Sequence, residues 1–349
     1  MRVLQVMSGA KVGGAETFFV DLASALHRAG LQQQVIIRRN EERAESLRKA
    51  GLEPIELPFG RIFDFSTRWK LKHCIEAFRP DIVQTWMSRA SAACPAGSFI
   101  HVGWLGGYYD RKHFRHCDEL VAVTQDLVEY AVGKGWPRQR VHYLPTLASD
   151  TPLPRLRRED FDTPDNVPLI LALGRLHEEK GFDVLLNSLI AVPNAYLWLA
   201  GSGPAENQLK ALTKTLGLES RVRFLGWRDD RAALYASCDL CVMPSRAEPF
   251  GTVMIEAWAY RRPIIAAAAI GPRALIKHEQ NGLLVPIDDA PSLTAAIRQI
   301  LEQPGLARSL ADAGRAAYEA DYTEAKTVSR YLAFYDSLLK THGGHKNYK

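Results

Sequence analysis

The sharpest chemical signal in this sequence is a pair of glutamates at the two ends of Glu248-Pro249-Phe250-Gly251-Thr252-Val253-Met254-Ile255-Glu256, preceded by Pro244-Ser245-Arg246-Ala247. An apolar strand ends before Pro244. Pro249 and Gly251 then introduce a helix, so Glu248 sits in a loop and Glu256 within the helix. Their spacing is slightly over two helical turns, which puts Glu256 about a helix length further into the protein. The N–H groups of Gly251, Thr252 and Val253 come too early for partners inside the helix and would face a phosphate. Carboxylates on either side of that phosphate would bind hydroxyls of the two sugars that flank it. Helix capping accounts for Glu248 alone, but not for Glu256 in an otherwise apolar stretch.

Three further loops follow apolar strands. Gly174-Arg175-Leu176-His177-Glu178-Glu179-Lys180-Gly181 places two cations at the carboxyl end of a strand, where open α/β sheets bind ligands. Arg175 and Lys180 suit a diphosphate; the plainer reading is a solvated charge pair. Ser8-Gly9-Ala10-Lys11-Val12-Gly13-Gly14-Ala15-Glu16 joins the first strand to the first helix. Its glycines would let backbone N–H groups approach an anion, or they serve a tight turn. Ala200-Gly201-Ser202-Gly203-Pro204 begins like a dinucleotide fingerprint, but Glu206 stands at the third glycine position, so it reads as a structural turn.

These groups could hold a bound diphosphate. A cation about 4 Å from a phosphate charge contributes on the order of 4 kcal/mol at an effective dielectric of 20, and Arg175, Lys180 and the helix amides would supply it without a metal. A magnesium-dependent site would need an Asp-x-Asp element beside a strand. Asp160-Phe161-Asp162 has the letters but falls in a polar stretch and reads as surface charge. Cys238 and Cys241 have C-x-x-C spacing, but no second pair exists among the five cysteines, which argues against zinc and against a disulfide framework.

The elements that must position these residues alternate from end to end, the pattern of doubly wound α/β domains. The spacing predicts strands at Val3–Met7, Gln34–Ile37, Ile82–Thr85, Ile100–Trp104 and Leu120–Val123. The first helix is expected from Glu16 to Ala29, stopping at Gly30. A second series is expected at Leu169–Leu173, Tyr196–Leu199, Val222–Phe224, Leu240–Met243, Pro263–Ala267 and Leu283–Val285. Between them, Thr146 to Asn166 holds prolines and mixed charges without periodicity and reads as a linker. The end, Thr323 to Leu339, is helical, with Tyr331, Phe334, Tyr335 and Leu338 on one stripe. The expected division is residues 1–148, a linker at 149–167, residues 168–325, and a terminal helix at 326–340 returning to the first domain.

The 349 residues suit two domains, and 47% hydrophobic with 24% charged residues allows each a core. A net charge of +5 fits a phosphate-bearing partner and is too weak to argue nucleic acid. The first residues read as a strand rather than a signal peptide, and the longest apolar run, Pro263 to Ile270, is too short to span a bilayer. The expectation is a cytoplasmic protein, with a peripheral membrane contact through residues 59–73. There Phe59, Ile62, Phe63, Phe65 and Trp69 alternate with Arg61, Arg68, Lys70 and Lys72, a composition that suits an anionic headgroup layer. A core helix using Leu71 and Ile75 is the competing reading.

Taken together, the Gly13-Gly14-Ala15-Glu16 loop, the Gly174-Arg175 to Lys180-Gly181 loop, the Gly201-x-Gly203-Pro204 turn and the Glu248-x7-Glu256 element resemble, in order, the retaining GT-B glycosyltransferases of family 4. The resemblance covers almost the whole chain. Leu105-Gly106-Gly107-Tyr108-Tyr109-Asp110 followed by Cys117-Asp118 is similar to a bacterial subgroup that builds surface polysaccharide and lipopolysaccharide.

The resemblance implies two Rossmann-like domains facing across a cleft and a hexosyltransferase using a nucleotide-sugar donor with retention of configuration. It implies a glycan or lipid-linked acceptor and no cofactor or metal. It assigns Arg175 and Lys180 to the donor diphosphate, Glu248 to the sugar hydroxyls and Glu256 to the ribose. Gly13 and Gly14 would approach the donor near the reacting centre, and Gly226, Trp227 and Arg228 would lie against the base. Phe250, Gly251, Thr252 and Val253 complete the donor site. Many relatives carry a histidine-glycine pair where Leu105 and Gly106 stand here. His101 lies within the strand and reads as a packed residue, which leaves Tyr109 and Asp110 as the acceptor-side candidates. The departing phosphate would deprotonate the acceptor; a double displacement would need a carboxylate nucleophile, for which Glu248 is the candidate. A dehydrogenase would want a complete G-x-G-x-x-G. A nucleotide-sugar epimerase and a non-catalytic sugar-binding relative remain as alternatives.

Overall fold

The computed structural model describes residues 1–11, 13–60 and 64–343, apart from the side chains of Phe65 and Gly343. The chain forms two units: residues 1–147 with 324–349, and residues 148–323.

The first unit is built on β1 (Arg2–Met7), β2 (Gln32–Arg38), β3 (Ile55–Leu57), β4 (Ile82–Trp86), β5 (Ile100–Leu105), β6 (Glu119–Ala122) and β7 (Val141–Tyr143), in the parallel order β3-β2-β1-β4-β5-β6-β7. Its crossover helices are α1 (Gly14–Arg28), α2 (Glu41–Lys49), α3 (Phe65–Phe78), α4 (Met87–Ala93) and α5 (Gln125–Gly133). Every residue of β4 and β5 is buried, as expected for parallel strands covered on both faces. One face packs Leu4, Val6, Ile36 and Val83 against Leu71 and Ile75 of α3. Phe18, Phe19, Trp86 and Trp104 form a second, aromatic cluster, with the two indoles 4.7 Å apart. Helix α1 ends as expected, with Gly30 at φ 84 donating to the His27 carbonyl.

The second unit holds β8 (Leu169–Leu173), β9 (Tyr196–Ala200), β10 (Val222–Gly226), β11 (Leu240–Met243), β12 (Ile264–Ala267) and β13 (Leu283–Val285), in the parallel order β10-β9-β8-β11-β12-β13. Around it lie α6 (Phe182–Leu189), α7 (Glu206–Thr215), α8 (Arg231–Ser237), α9 (Thr252–Ala259), α10 (Ile270–Leu275), α11 (Ala290–Glu302) and α12 (Pro304–Asp321). Its core joins Ile170, Leu197, Leu199, Val242 and Ile265 of the sheet to Leu185, Leu189 and Ile297.

The last helix, α13 (Glu324–Gly343), belongs to the first unit. Tyr331, Phe334, Tyr335 and Leu338 are all buried. The Tyr335 hydroxyl donates to Gln84 Oε1 at 2.7 Å and accepts from Gln5 Nε2 at 3.2 Å.

Two features depart from the sequence reading. Short strands β3 and β7 went unread, because three residues beside prolines or charges carry no periodicity. The stretch read as a linker is part of the second unit. Arg158 donates to the carbonyls of Ser237 and Val167, and Thr163 accepts from Trp198 Nε1 at 2.9 Å. Its anchors are these two side chains, while Pro152, Pro154 and Pro164 are exposed.

Candidate active site

In the second unit the predicted residues gather at the carboxyl ends of β8 and β11. Arg175 is exposed just beyond Gly174. Lys180 ends a single 3-10 turn, and its ammonium meets Glu248 Oε2 at 2.6 Å, both side chains largely buried. The sequence reading had placed these two groups on different parts of a ligand; the structure pairs them directly.

Arg246 builds the loop that carries Glu248. Its guanidinium donates to both carboxylate oxygens of Asp183, at 2.9 and 2.7 Å, to Asp288 Oδ1 at 2.6 Å and to the Glu178 carbonyl at 2.6 Å. The hydrogen bonds to Asp183 raise its pKa further. Asp183 is held below the usual carboxylate range by the same guanidinium, against the opposing effect of burial. From the other side, Gly271 N–H donates to the Glu248 carbonyl at 2.8 Å. Sequence reasoning missed Arg246; a lone arginine between a proline and a glutamate gives no sign of its distant partners.

Gly251 precedes α9 at φ 91, a left-handed conformation that favours glycine. Met254 N–H bonds back to the Gly251 carbonyl at 2.9 Å, so the amides of Gly251, Thr252 and Val253 precede the helical ladder. Thr252 and Val253 are half-buried at this end. The Phe250 ring packs into the core, 6.2 Å from Tyr322, which leaves its backbone as the part that can meet a ligand.

Glu256 is 5% exposed. Its Oε1 is ion-paired with Arg231, and its Oε2 accepts the Tyr235 hydroxyl at 2.9 Å. Full burial and the adjacent carboxylate push the Tyr235 phenol well above its usual value, which keeps it a donor. A carboxylate has lone pairs to spare beyond these two bonds and can accept from a pair of ligand hydroxyls. Arg231 and Tyr235 were missed, because nothing in α8 alone points at Glu256.

The Gly201 and Gly203 turn is structural, as read. A Cβ on Gly201 would collide with the Gly174 carbonyl, and Gly201 N–H donates to the Gly226 carbonyl at 2.7 Å. Beyond Gly226, Trp227 is 37% exposed. Arg228 does not reach outward: it chelates Asp230, with Nε at 2.8 Å from Oδ1, and lies over the Phe161 ring. Cys238 and Cys241 are buried thiols; burial pushes Cys238 up to about 12 and Cys241 up as well.

In the first unit, Gly13 caps α1 and Gly14 begins it; Val12 lies outside the described residues. Ala10 N–H donates to Glu16 Oε1 at 2.6 Å, so this one amide of the loop is satisfied within the protein. Leu105 is buried at the end of β5. His101 is a packed residue, with Nε2 at 2.9 Å from Thr85 Oγ1, and burial drops its pKa to about 4. Tyr109 is half-buried; burial and then the Glu16 charge raise its phenol to about 12. Asp110 is exposed and caps a short turn, accepting Lys112 N–H at 3.0 Å and pairing with its ammonium.

The chain matches two family models, "Glycosyltransferase Family 4" over residues 12–147 and "Glycosyl transferases group 1" over residues 155–317. It is 33% identical over 340 residues to the lipopolysaccharide core biosynthesis glycosyltransferase LpsD of Rhizobium meliloti (strain 1021), covering 96% of this chain and 98% of that protein. LpsE of the same strain is 33% identical over 336 residues, covering 92% of this chain and 95% of its own length. Among solved structures, Anabaena Alr3699/HepE in complex with UDP and glucose superposes with a TM-score of 0.84 over 97% of this chain and all of that one, at 20% identity. That likeness establishes the GT-B fold. None of these relatives favours the dehydrogenase, epimerase or non-catalytic readings. The chain belongs to the group 1, family 4 glycosyltransferases and transfers a sugar from a nucleotide-sugar donor.

Proposed function

We propose that this glycosyltransferase holds its donor on the second unit and works with retention of configuration and without metal. The diphosphate lies between Arg175, Lys180 and the amides at the start of α9. Glu248 binds hydroxyls of the transferred sugar, and Glu256 binds those of the ribose. The observation that carries this reading is the 2.6 Å pair of Lys180 and Glu248 beside the amino end of α9. A cation, a carboxylate and a set of open amides converge there. As the glycosidic bond breaks, charge grows on the diphosphate, and the cations and amides stabilise it in place. The departing phosphate oxygen takes the acceptor proton on the same face. A double displacement through Glu248 is disfavoured, because its carboxylate is already committed to Lys180. Turnover should persist in excess EDTA. Complete loss, restored only by Mg²⁺ or Mn²⁺, would sink the metal-free mechanism.

The acceptor in this proposal is a glycan or lipid-linked saccharide of a bacterial surface polysaccharide. Its support is the near-full-length likeness to two lipopolysaccharide core enzymes. Helix α3 then docks the enzyme on the cytoplasmic face of the membrane. Leu71 and Ile75 belong to the core, and so does Phe59, which corrects its place among the membrane-facing aromatics. Trp69 is 60% exposed, and Arg68, Lys70 and Lys72 are exposed beside it. Arg61, Ile62 and Phe63 lie outside the described residues. No described helix is long and apolar enough to cross a membrane. Wild-type protein should sediment with phosphatidylglycerol-containing vesicles at low salt and detach at high salt, at about 1 kcal/mol per basic residue. The triple change Arg68→Glu, Lys70→Glu, Lys72→Glu should abolish sedimentation. Wild-type protein that stays in the supernatant removes the docking step.

A further inference from the structure

Lys180 carries its charge at the end of a flexible four-carbon stem, on a single short turn, so its reach depends on what fixes that turn. Arg246 does so from the loop after β11. Its N–H donates to the Glu179 carbonyl at 2.8 Å, and its guanidinium to the Glu178 carbonyl at 2.6 Å. The same guanidinium holds Asp183, in the first turn of α6, through both carboxylate oxygens. A Cβ on Gly181 would collide with the Pro244 carbonyl, so the two loops touch there as well. Positions 178, 179, 181 and 183, on both sides of Lys180, are thus bonded to or pressed against residues 244–246. Two residues beyond Arg246, Glu248 meets the Lys180 ammonium at 2.6 Å.

Arg246 Nε also donates to Asp288, in the loop after β13, at 2.6 Å. Loops from three strand ends of one sheet therefore meet on one side chain. Stability of the fold does not account for it. The Arg246 side chain is 25% exposed, that of Asp183 40% and that of Asp288 54%, and ion pairs within reach of water contribute little. What a planar fork matched to two oxygens does secure is angle and distance together. All three guanidinium nitrogens are engaged with protein groups, so the group is turned into the protein and not toward a ligand.

We propose that Arg246 is a positioning residue for the donor: it fixes the Lys180 turn against the loop that carries Glu248, and it acts on the diphosphate only through Lys180. Its fork matters, not its charge alone. This rests on the proposed assignment of the diphosphate to Lys180.

The test is a double-mutant cycle in the full-length enzyme: Arg246→Ala, Lys180→Ala and the two together, with Arg246→Lys alongside. UDP and GDP affinity is measured by calorimetry, turnover as release of nucleoside diphosphate from the UDP- and GDP-hexoses the wild type uses, and folding by circular dichroism. Lys180→Ala should weaken nucleotide binding by about tenfold or more, as a lost charge-assisted hydrogen bond does. Arg246→Ala should weaken it by about fivefold and lower kcat by about tenfold, through misplacement of Lys180. On the Lys180→Ala background the same change should cost less than about twofold in either quantity, because residues that act as a unit are not additive. Arg246→Lys keeps the charge but not the fork, so it should stay within about twofold of Arg246→Ala. Additive losses, or wild-type behaviour of Arg246→Lys, would make Arg246 a third cation acting on the diphosphate by its own charge and overturn the proposal. Wild-type affinity and kcat in Arg246→Ala would do the same. If Arg246→Ala does not fold, Asp183→Asn, which takes the charge from the fork's partner, replaces it in the cycle and should show the same lack of additivity with Lys180→Ala. Wild-type nucleotide affinity in Lys180→Ala would instead break the assignment of the diphosphate itself, and the proposal would fall with it.

Discussion

The loops that follow β1 and β8 occupy equivalent places in two sheets of one design and use their charged side chains differently. Each leaves the third strand in its sheet order, and each leads through glycine toward a helix. After β1, the carboxylate of Glu16 is buried and turned back on its own loop, while Lys11 is exposed. After β8, Arg175, Glu178 and Glu179 are exposed, and Lys180 reaches across to Glu248. The backbone of a doubly wound fold offers both places to a ligand. What separates them is where their side chains turn: after β1 a buried glutamate accepts from an amide of its own loop, and after β8 a lysine reaches Glu248 in the loop after β11.

The largest expected effect comes from removing the cations. Arg175→Ala should lower kcat by about 10²-fold or more, the scale seen when one preorganised charge-stabilising donor is lost. Lys180→Ala should cost more, because it also strands Glu248, whose side chain is 14% exposed, without its partner. Turnover of both variants, with circular dichroism as the check on folding, tests this. Near-normal rates in two well-folded variants would erase the contrast between the loops.

The two glutamates give a smaller, more selective effect. Glu256→Gln should weaken nucleoside diphosphate binding by about tenfold or more, in line with about 1.5–3 kcal/mol for hydrogen bonds to a charged group. Glu248→Gln should leave that affinity nearly intact and slow transfer. Each substitution takes the charge from one side of an ion pair, Arg231 with Glu256 and Lys180 with Glu248, so both melting temperatures should fall. Calorimetric titration of both variants decides the division; equal loss of affinity in the two would refute it.

Much of this arrangement was legible in the sequence. The strands at Leu169–Leu173, Leu240–Met243 and Leu283–Val285 match their expected bounds, because short apolar runs between turn residues leave little choice of register. The stripe of α13 was readable for the same reason. What could not be read were partnerships across long separations. Lys180 with Glu248, Arg231 with Glu256, and Arg246 with Asp183 and Asp288 join residues that share no local pattern. The direction of Glu16 was also hidden: a glutamate after a glycine pair looks like a first-turn surface residue until the glycines prove to be spaced around its carboxylate. The strap over 148–167 misled for a related reason. Its contacts come from Arg158 bonding to the end of α8 and Thr163 to Trp198 of β9, and composition records only its prolines.

The smallest expected effect extends the comparison to how the first unit is closed. Helix α13 seals it partly through polar groups. Glu119, 5% exposed on β6, has Oε2 at 2.8 Å from His142 Nε2 and Oε1 at 2.9 Å from His342 Nε2 of α13. Burial would raise its pKa, but the two ring hydrogen bonds outweigh that and hold it below the ordinary value of 4.5. A carboxyl group whose pKa is lower in the folded than in the unfolded state adds stability that is fully present above the unfolded value. That stability fades as pH falls through the folded value. Glu119→Gln keeps the shape and one acceptor but removes the charge. Near neutral pH it should therefore lower the melting temperature by about 2–4 °C, corresponding to about 1 kcal/mol. The gap between wild type and variant should hold down to the ordinary carboxylate range and close below it. Melting curves taken from neutral to acid pH measure this directly, and faster hydrogen exchange confined to α13 and the first unit would locate the change. A gap that persists unchanged in acid, or one that appears only there, would show that the charge on Glu119 does not anchor the helix.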